Sequence, residues 1–507
     1  MNVKYGLIAG FLAVSSSWTC AYGQAWAAPI SGLWSLPANW NPANVPDAQT
    51  EFATLGLSGT YTVTITASES IPIRGLTISN TSANLQLTGP STSADTALRF
   101  YGDNVNNNGT IVLGAGAGTG DCRLYFALSC LLAGSGKVRL DEAGDSVVTV
   151  PAGVTLTNGA GHRIVGAGRI ATAGAFSNAG TIGTEFATDV WTIDAPMTQT
   201  ATGIIRADRG VVQLTGGSIA GGTITSTLGG YVEVLSGSIG TLLNSGEIRV
   251  AGPTNSANVS LLIASGITNN GQVRAMQGSG SGDARVQFTS DVSVLGAGAI
   301  LLEEPTDSVV TIASGATVTI GPSQHIGGVG AITPTGAGKL VLNGVMQPGV
   351  PAGQPVGTLR MSGTGTIQFS TSARLEIEYA GGQHDQVVST ASSLMLAGTV
   401  QLKYVGESAI APCSELVIVS GPYTGGFATL SAPKPALGKL RLIHEPNEVR
   451  IAYYPSDFDG SGFVDTDDFT AFIVAFEAGE DAADFDNSGF VDTDDFTAFV
   501  TAFEAGC

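Results

Sequence analysis

Basic residues are scarce in this chain. Only 21 Lys and Arg stand against 41 Asp and Glu in 507 residues, a formal net charge of −20 with a pI of about 4.4. Such a chain lacks the positive surface that neutralises phosphates, so nucleic acid is not an expected partner. Histidine is rarer still: the four residues, His162, His325, His384 and His444, form no HxH or HExxH spacing. There is no phosphate loop, no nucleophile elbow and no cysteine-based zinc spacing. Five cysteines in this length do not make a disulfide framework. Cys122 and Cys130 could bridge if a turn brings their Cα atoms within about 7 Å. Cys507 is either a processing or attachment point or a free thiol. Outside the first residues, no stretch approaches the roughly 20 apolar residues of a membrane span.

What is present at the N-terminus reads as a secretory leader over residues 1–27. Lys4 supplies a positive start, and Gly6 to Val14 a short apolar core. Ala25-Trp26-Ala27 is a small-x-small cleavage site, with a cut after Ala27 or, as a second candidate, after Ala25. The expected location is therefore secreted, extracellular or at the cell surface, with no transmembrane segment once the leader is removed.

Glycine is abundant, with 70 residues, and strand formers fill the space between. Tyr61–Ile65, Ser146–Val150, Val211–Leu214, Tyr231–Val234 and Ser308–Ile312 are short alternating or β-branched segments. Asn-x-Gly-x-Ile/Val recurs at Asn178, Asn244 and Asn269, with Asn107-Asn108-Gly109-Thr110-Ile111 as a variant, in steps close to multiples of a 22–25-residue unit. Val211–Ile219 matches Tyr231–Ile239 at an offset of 20, and Gly134–Ile170 matches Gly296–Ile332 at an offset of 162. Repeats of this length, each too small to bury its own core, stack into solenoids. The expected fold is mainly β: a right-handed parallel β-helix over 28–338, a β-rich C-terminal part of that solenoid over 339–455, and a small α-helical calcium-binding unit over 456–507. Two or three β-sandwiches are the competing architecture.

The most informative segment is the last. Asp457-Phe458-Asp459-Gly460-Ser461-Gly462-Phe463-Val464-Asp465-Thr466-Asp467-Asp468 recurs 27 residues later as Asp484 to Asp495. Oxygen-bearing side chains fall at loop positions 1, 3, 5, 9 and 12, with glycine at 6, which is the spacing of a Ca²⁺ loop. Asp457, Asp459 and Ser461 are side-chain candidates. Phe463 offers its carbonyl, Asp465 acts directly or through water, and Asp468 closes the site. Asp484, Asp486, Ser488, Phe490, Asp492 and Asp495 repeat the set, giving two Ca²⁺ ions. A solvated acidic tail would have no reason to repeat the glycine, nor to follow each loop with an amphipathic helix. Phe469, Phe472, Ile473 and Phe476, and again Phe496, Phe499, Val500 and Phe503, fall at i, i+3, i+4, i+7. The segment carries 11 Asp and 3 Glu without Lys or Arg. Its carboxylates repel without metal, so folding and binding should be coupled.

These duplicated loop–helix repeats resemble a dockerin domain, and the terminal Gly506-Cys507 is similar to the GC-type dockerins thought to anchor or sort exported bacterial proteins. The resemblance implies a cohesin-like or other surface anchoring protein as partner, selected by loop positions 10 and 11. Here those are Thr466-Asp467 and Thr493-Asp494, an acidic choice, and the spacer between repeats is shorter than in cellulosomal dockerins. Gly32-x-Trp34, Asn39-Trp40, Pro46-Asp47, Phe52 and Leu76-Thr-Ile78 resemble the first coil of autotransporter-passenger-like β-helices. Val356-Gly-Thr-Leu359, Leu375-Glu-Ile-Glu378, His384-Asp385-Gln386-Val387 and Leu396-Ala-Gly398 resemble the β-rich end of such solenoids. The resemblances imply a structural, adhesive or glycan-contacting scaffold, with a polysaccharide as a possible ligand. An extracellular polysaccharide lyase or hydrolase carrying a dockerin is one alternative. A surface-layer or matrix component attached through Cys507 is another.

For the enzyme, the acidic pairs Asp141-Glu142 and Glu303-Glu304 sit about seven coils apart, some 35 Å at about 4.8 Å per coil, too far to share a glycosidic bond. The cluster Asp189, Asp194, Arg206, Asp208 and Arg209 suits either uronate chemistry or a surface ion-pair patch. No catalytic residue is assigned.

Overall fold

The computed structural model describes residues 23–349, 356–391, 393–406, 410–433 and 439–506. Residues 1–22 of the expected leader, and Cys507, lie outside the described residues.

The body is a parallel β-helix. Short strands alternate in burial, as in Tyr61–Ile65 and Ala284–Phe288, where the first, third and fifth side chains are buried. That period-2 pattern sends one face of each strand inward. Every coil then stacks on the next in parallel register, as in Asn104↔Leu131 and Ile111↔Val138. Three ladders run along the body. The first extends from Gly23–Trp26 to Ser414–Ser420, the second from Gly32–Leu33 to Thr424–Gly425, and the third from Ser70–Ile73 to Thr429–Ser431. One continuous apolar core fills the interior from Trp26 to Tyr453. The stacking therefore continues through residues 339–431 without a break in architecture.

Three long strands, Arg163–Thr172, Val211–Ala220 and Tyr231–Gly240, turn a corner and serve two ladders each. The corner in the first falls at Gly166, with φ of 111°. A Cβ there would stand 2.1 Å from the Leu140 carbonyl oxygen, so only glycine fits.

The recurrent asparagines are buried, and their amides bond along the stack. Asn158 Nδ2 donates to Asn178 Oδ1 at 2.8 Å, Asn178 Nδ2 to Gln199 Oε1 at 3.0 Å, and Asn244 Nδ2 to Asn269 Oδ1 at 2.8 Å. Asn107 and Asn244 also accept from the backbone N–H two residues on, at Gly109 and Gly246. The Asn-x-Gly repeat is thus a turn in which asparagine satisfies interior donors and acceptors. His162 continues the ladder. It is fully buried, with Nδ1 2.8 Å from Asn158 Oδ1 and Nε2 3.1 Å from Asn107 Nδ2. The neutral ring suits both contacts, donating from Nδ1 and accepting at Nε2.

Burial lowers the His162 pKa from 6.5 to about 4. The unfolded chain therefore takes up this proton at higher pH than the folded chain. The stability involved is fully present above pH 6.5 and drains away as pH falls toward 4, by about 3 kcal/mol in all. Denaturant melts at pH 7 and pH 4.5 should show this loss in the parent and a smaller one in His162→Gln. Equal losses in both would show that the ring does not carry it.

The question of a Cys122–Cys130 bridge is answered by the coils: both residues are buried free thiols. They begin successive strands on different ladders, Cys122–Phe126 on the third and Cys130–Ala133 on the first. Burial pushes each thiol up to about 12.

Both ends of the solenoid are closed. At the first coil, Trp26 and Trp34 pack edge-on against Trp40, with ring centroids 5.1 and 4.8 Å apart, and all three are buried. Their indole N–H groups donate to the carbonyls of Ile30, Pro46 and Trp34. Gly23–Trp26 pairs antiparallel with Trp40–Asn41 and parallel with Phe52–Leu55. A cut after Ala27 or Ala25 would remove strand residues that the first coil uses. N-terminal sequencing of exported chain should read a start at or before Gly23; a start at Trp26 or Ala28 would contradict this packing. At the other end, the hairpin Leu440–Glu445/Glu448–Tyr453 adds antiparallel to Ser414–Ser420 and covers the open edge.

Candidate metal centre

Two helices follow the hairpin, α1 over Thr466–Ala478 and α2 over Thr493–Glu504. Each begins with a capping box. The Asp465 side chain accepts from Asp467 N while Asp468 accepts from Asp465 N, and Asp492 and Asp495 repeat this. α1 ends at Gly479 in the left-handed region, φ 67°. No α-helix leads into either loop: the strand Glu448–Tyr453 precedes the first, and a single 3₁₀ turn, Asp481–Ala483, precedes the second.

The phenylalanines form a core separate from that of the solenoid. Phe472 and Phe499 stack face to face at 4.0 Å, and Phe485 abuts both edge-on. Phe458 also abuts both edge-on. Phe458 and Phe485 are loop position 2 in their repeats, so each loop is pinned to the shared core beside its first acidic residue.

That pinning gathers the acids. Carboxylate oxygens of Asp457, Asp459 and Asp468 all lie within 4.8 Å of one another, and so do those of Asp484, Asp486 and Asp495. Loop positions 1, 3 and 12 therefore converge in both repeats. Ser461 Oγ and the Phe463 carbonyl oxygen lie 3.2 Å apart, as do Ser488 Oγ and the Phe490 oxygen. Asp465 and Asp492 are not among the gathered carboxylates and cap their helices. Position 12 is the most constrained. Asp468 is fully buried and accepts from Asp459 N at 3.0 Å and Asp465 N at 2.9 Å. Burial pushes its carboxyl above the ordinary range, with Asp459 and Asp457 adding to the shift. The donor sets are all oxygen, as a hard divalent cation requires. The second loop also holds a buried Asp484 Oδ1 with no hydrogen-bond partner.

The loops differ in one respect that the sequence pattern did not reveal. Arg441, on the solenoid's last hairpin, places Nη1 2.7 Å from Asp457 Oδ2 and donates from Nη2 to the Asp457 carbonyl. Nothing in the sequence set Arg441 apart from Lys439 and Arg450, the other basic residues near it. A cleft of about 300 Å³ follows this seam, lined by Arg441, Leu440, Phe458, Asp484 and Phe485 among others.

Most of the other acidic candidates are engaged in the body, while Asp194 is exposed. Asp141 pairs with Arg139, and Glu142 accepts from Gly116 N. Glu303 pairs with Arg274, and Glu304 accepts from Thr306 and Asp307. The matching segments Ser146–Val150 and Ser308–Ile312 lie on different ladders, the third and the first. The two acidic pairs thus face different sides as well as different coils. Asp189 accepts from Glu185 N and Phe186 N, and Arg206 pairs with Asp208. Asp385 accepts from Gly357 N and Glu378 N inside the solenoid's end, where burial pushes it up to about 8. His384 Nε2 lies 3.1 Å from the Val417 carbonyl oxygen.

Neither a protein-family model nor a curated protein matches the chain. Among solved structures, the crystal structure of the Haemophilus influenzae Hap adhesin is similar, at 12% identity and a TM-score of 0.23, over 79% of this chain and 64% of the adhesin's. The matched region thus spans under two thirds of that adhesin. The β-helix rests on the ladders described above. No described helix is long and apolar enough to cross a membrane.

Proposed function

We propose that the chain is a secreted or surface-attached protein whose C-terminal repeats bind two Ca²⁺ ions and form a dockerin-like docking module, with the β-helix as a structural, adhesive or glycan-contacting scaffold. The observation that carries the reading is the convergence of two equivalent carboxylate triads on a shared phenylalanine core. The ligands would be Asp457, Asp459, Ser461, Phe463 and Asp468, with Asp465 reaching the ion through water, and Asp484, Asp486, Ser488, Phe490, Asp492 and Asp495 in the second loop. Thr466, Asp467, Thr493 and Asp494 are exposed, as partner-selecting positions must be. A cohesin-like or other surface anchoring protein is the proposed partner. Calcium-dependent pull-down with the full chain as bait tests this: partner capture should vanish in EDTA and on charge reversal at Asp467 and Asp494.

The Arg441 contact makes the two sites unequal. Its guanidinium shares Asp457 with the first ion and should weaken that site. Arg441→Gln should tighten it by about tenfold, from Coulomb energy at partial solvation, and leave the second site unchanged. Calorimetric titration resolves the two steps; equal affinities in the parent would contradict the asymmetry.

A further inference from the structure

The two twelve-residue acidic loops differ in sequence at position 4 alone, which is Gly460 in the first and Asn487 in the second. Backbone conformation does not require the difference. φ is 84° at Gly460 and 59° at Asn487, a left-handed region that asparagine also adopts. The difference matters to Arg441. A Cβ on Gly460 would stand 2.8 Å from Arg441 Nη1, so a side chain there would push the guanidinium aside. With glycine at position 4, Arg441 reaches Asp457: Nη1 lies 2.7 Å from Oδ2, and Nη2 donates to the Asp457 carbonyl. In the second loop the equivalent Asp484 keeps its Oδ1 without a hydrogen-bond partner.

This bridge crosses the junction between the β-helix and the module. Arg441 belongs to the strand Leu440–Glu445 of the hairpin that closes the solenoid, and Asp457 opens the first loop. The two sides have separate apolar cores. Arg441 and Asp457 both line two clefts. One, of about 300 Å³, is bordered by Leu440 and Phe485, and the other, of about 590 Å³, by Leu442, Tyr454 and Phe463. The junction is thus open on two sides of a charged contact.

Calcium–oxygen contacts are about 2.3–2.6 Å long. An ion held through Asp457 Oδ2 would therefore stand roughly 5 Å from the guanidinium nitrogen. Like charges that close oppose each other, the more so where water is partly excluded. Linkage makes the opposition mutual: the factor by which the guanidinium weakens the first site is the factor by which a loaded first site weakens the bridge.

We propose that Arg441 is a clamp on the first loop, admitted by Gly460, and that the two loops act in sequence. Loading of the second loop folds the module with the clamp closed. Loading of the first loop opens the clamp and releases the module from the end of the β-helix. The inference rests on the calcium reading above and adds an order of events to it.

The test follows modification of Arg441 by an arginine-specific dicarbonyl reagent in the full chain, mapped by peptide mass spectrometry across a calcium series. Arg441 should react fast in EDTA, slowly with one ion bound, and about tenfold faster again with two. Arg285, paired with Asp283 on the body, should react at one rate throughout. Gly460→Asn makes the loops identical; it should abolish the slow state and equalise the two binding steps. Asn487→Gly should keep the slow state. Two bound ions with Arg441 still slow, or a slow state that survives Gly460→Asn, would overturn the clamp and leave the calcium reading standing. A flat profile without bound calcium would overturn both.

Discussion

Chelating calcium from the full chain is expected to melt α1 and α2 while leaving the β-helix folded. The two regions have separate apolar cores. The module's core is small: Phe472, Phe485, Phe499 and three alanines are its buried members. A core of that size does not outweigh the ordering entropy of some fifty residues. Around it lie six gathered carboxylates, and among the described residues Arg441 is the one cation paired with them. Bound Ca²⁺ would remove that repulsion, so its free energy of binding becomes free energy of folding. Far-UV circular dichroism should show loss of helix in EDTA, with the strand signal and the main thermal transition retained. Asp495→Ala should reproduce half of the effect. It removes the carboxylate that holds Asp486 N and Asp492 N and that would close the proposed second site, which should weaken by roughly 100-fold. Unchanged helix in EDTA would show that the module folds without metal.

The second large effect is expected at the stacked pair. Phe472→Ala or Phe499→Ala removes one of two fully buried rings that touch each other at 4.0 Å and both position-2 phenylalanines. Truncation of a buried phenylalanine costs about 3–5 kcal/mol, comparable with the whole stability of so small a unit. Either variant should lose both helices at 25 °C at low calcium and recover them only at much higher calcium, through mass action. The exposed Phe463 and Phe490 serve as controls. Their replacement by alanine should leave the helices intact. Proteolysis and circular dichroism across a calcium series separate the cases, and equal tolerance of Phe472→Ala and Phe463→Ala would contradict the packing.

Much of the solenoid was legible because its rules are local. Alternation as in Tyr61–Ile65 marks inward faces, and Asn178, Asn244 and Asn269 mark turns whose amides are buried. What sequence could not give is which ladder a repeat joins. The long strands through Gly166, Gly216 and Gly237 supply two ladders at once. The segments at Ser146 and Ser308 therefore look equivalent in sequence yet lie on different faces. The use of Ala25-Trp26-Ala27 by the first coil was hidden for a related reason: the segment has a cleavable pattern, and only three dimensions show Trp26 packed on Trp40.

In the acidic repeats, positions 1, 3 and 12 were readable from spacing alone, since glycine at position 6 and the following helix fix the loop. Position 9 was read as acting directly or through a water, and Asp465 and Asp492 also cap α1 and α2. A carboxylate one turn before an acidic N3 residue satisfies the capping pattern as well as the metal pattern. Arg441 was invisible as a partner of the module because it comes from the solenoid's end, where hairpin and loop meet only in three dimensions.

The most direct measurement is calorimetric titration of the full chain with Ca²⁺, with circular dichroism recorded at each step. The account predicts two ions per chain, bound in unequal steps, with helix gained as they bind and lost again in EDTA. Absence of saturable binding, or saturation without change in helix, would contradict a calcium-built docking module and leave an acidic appendage on a β-helix.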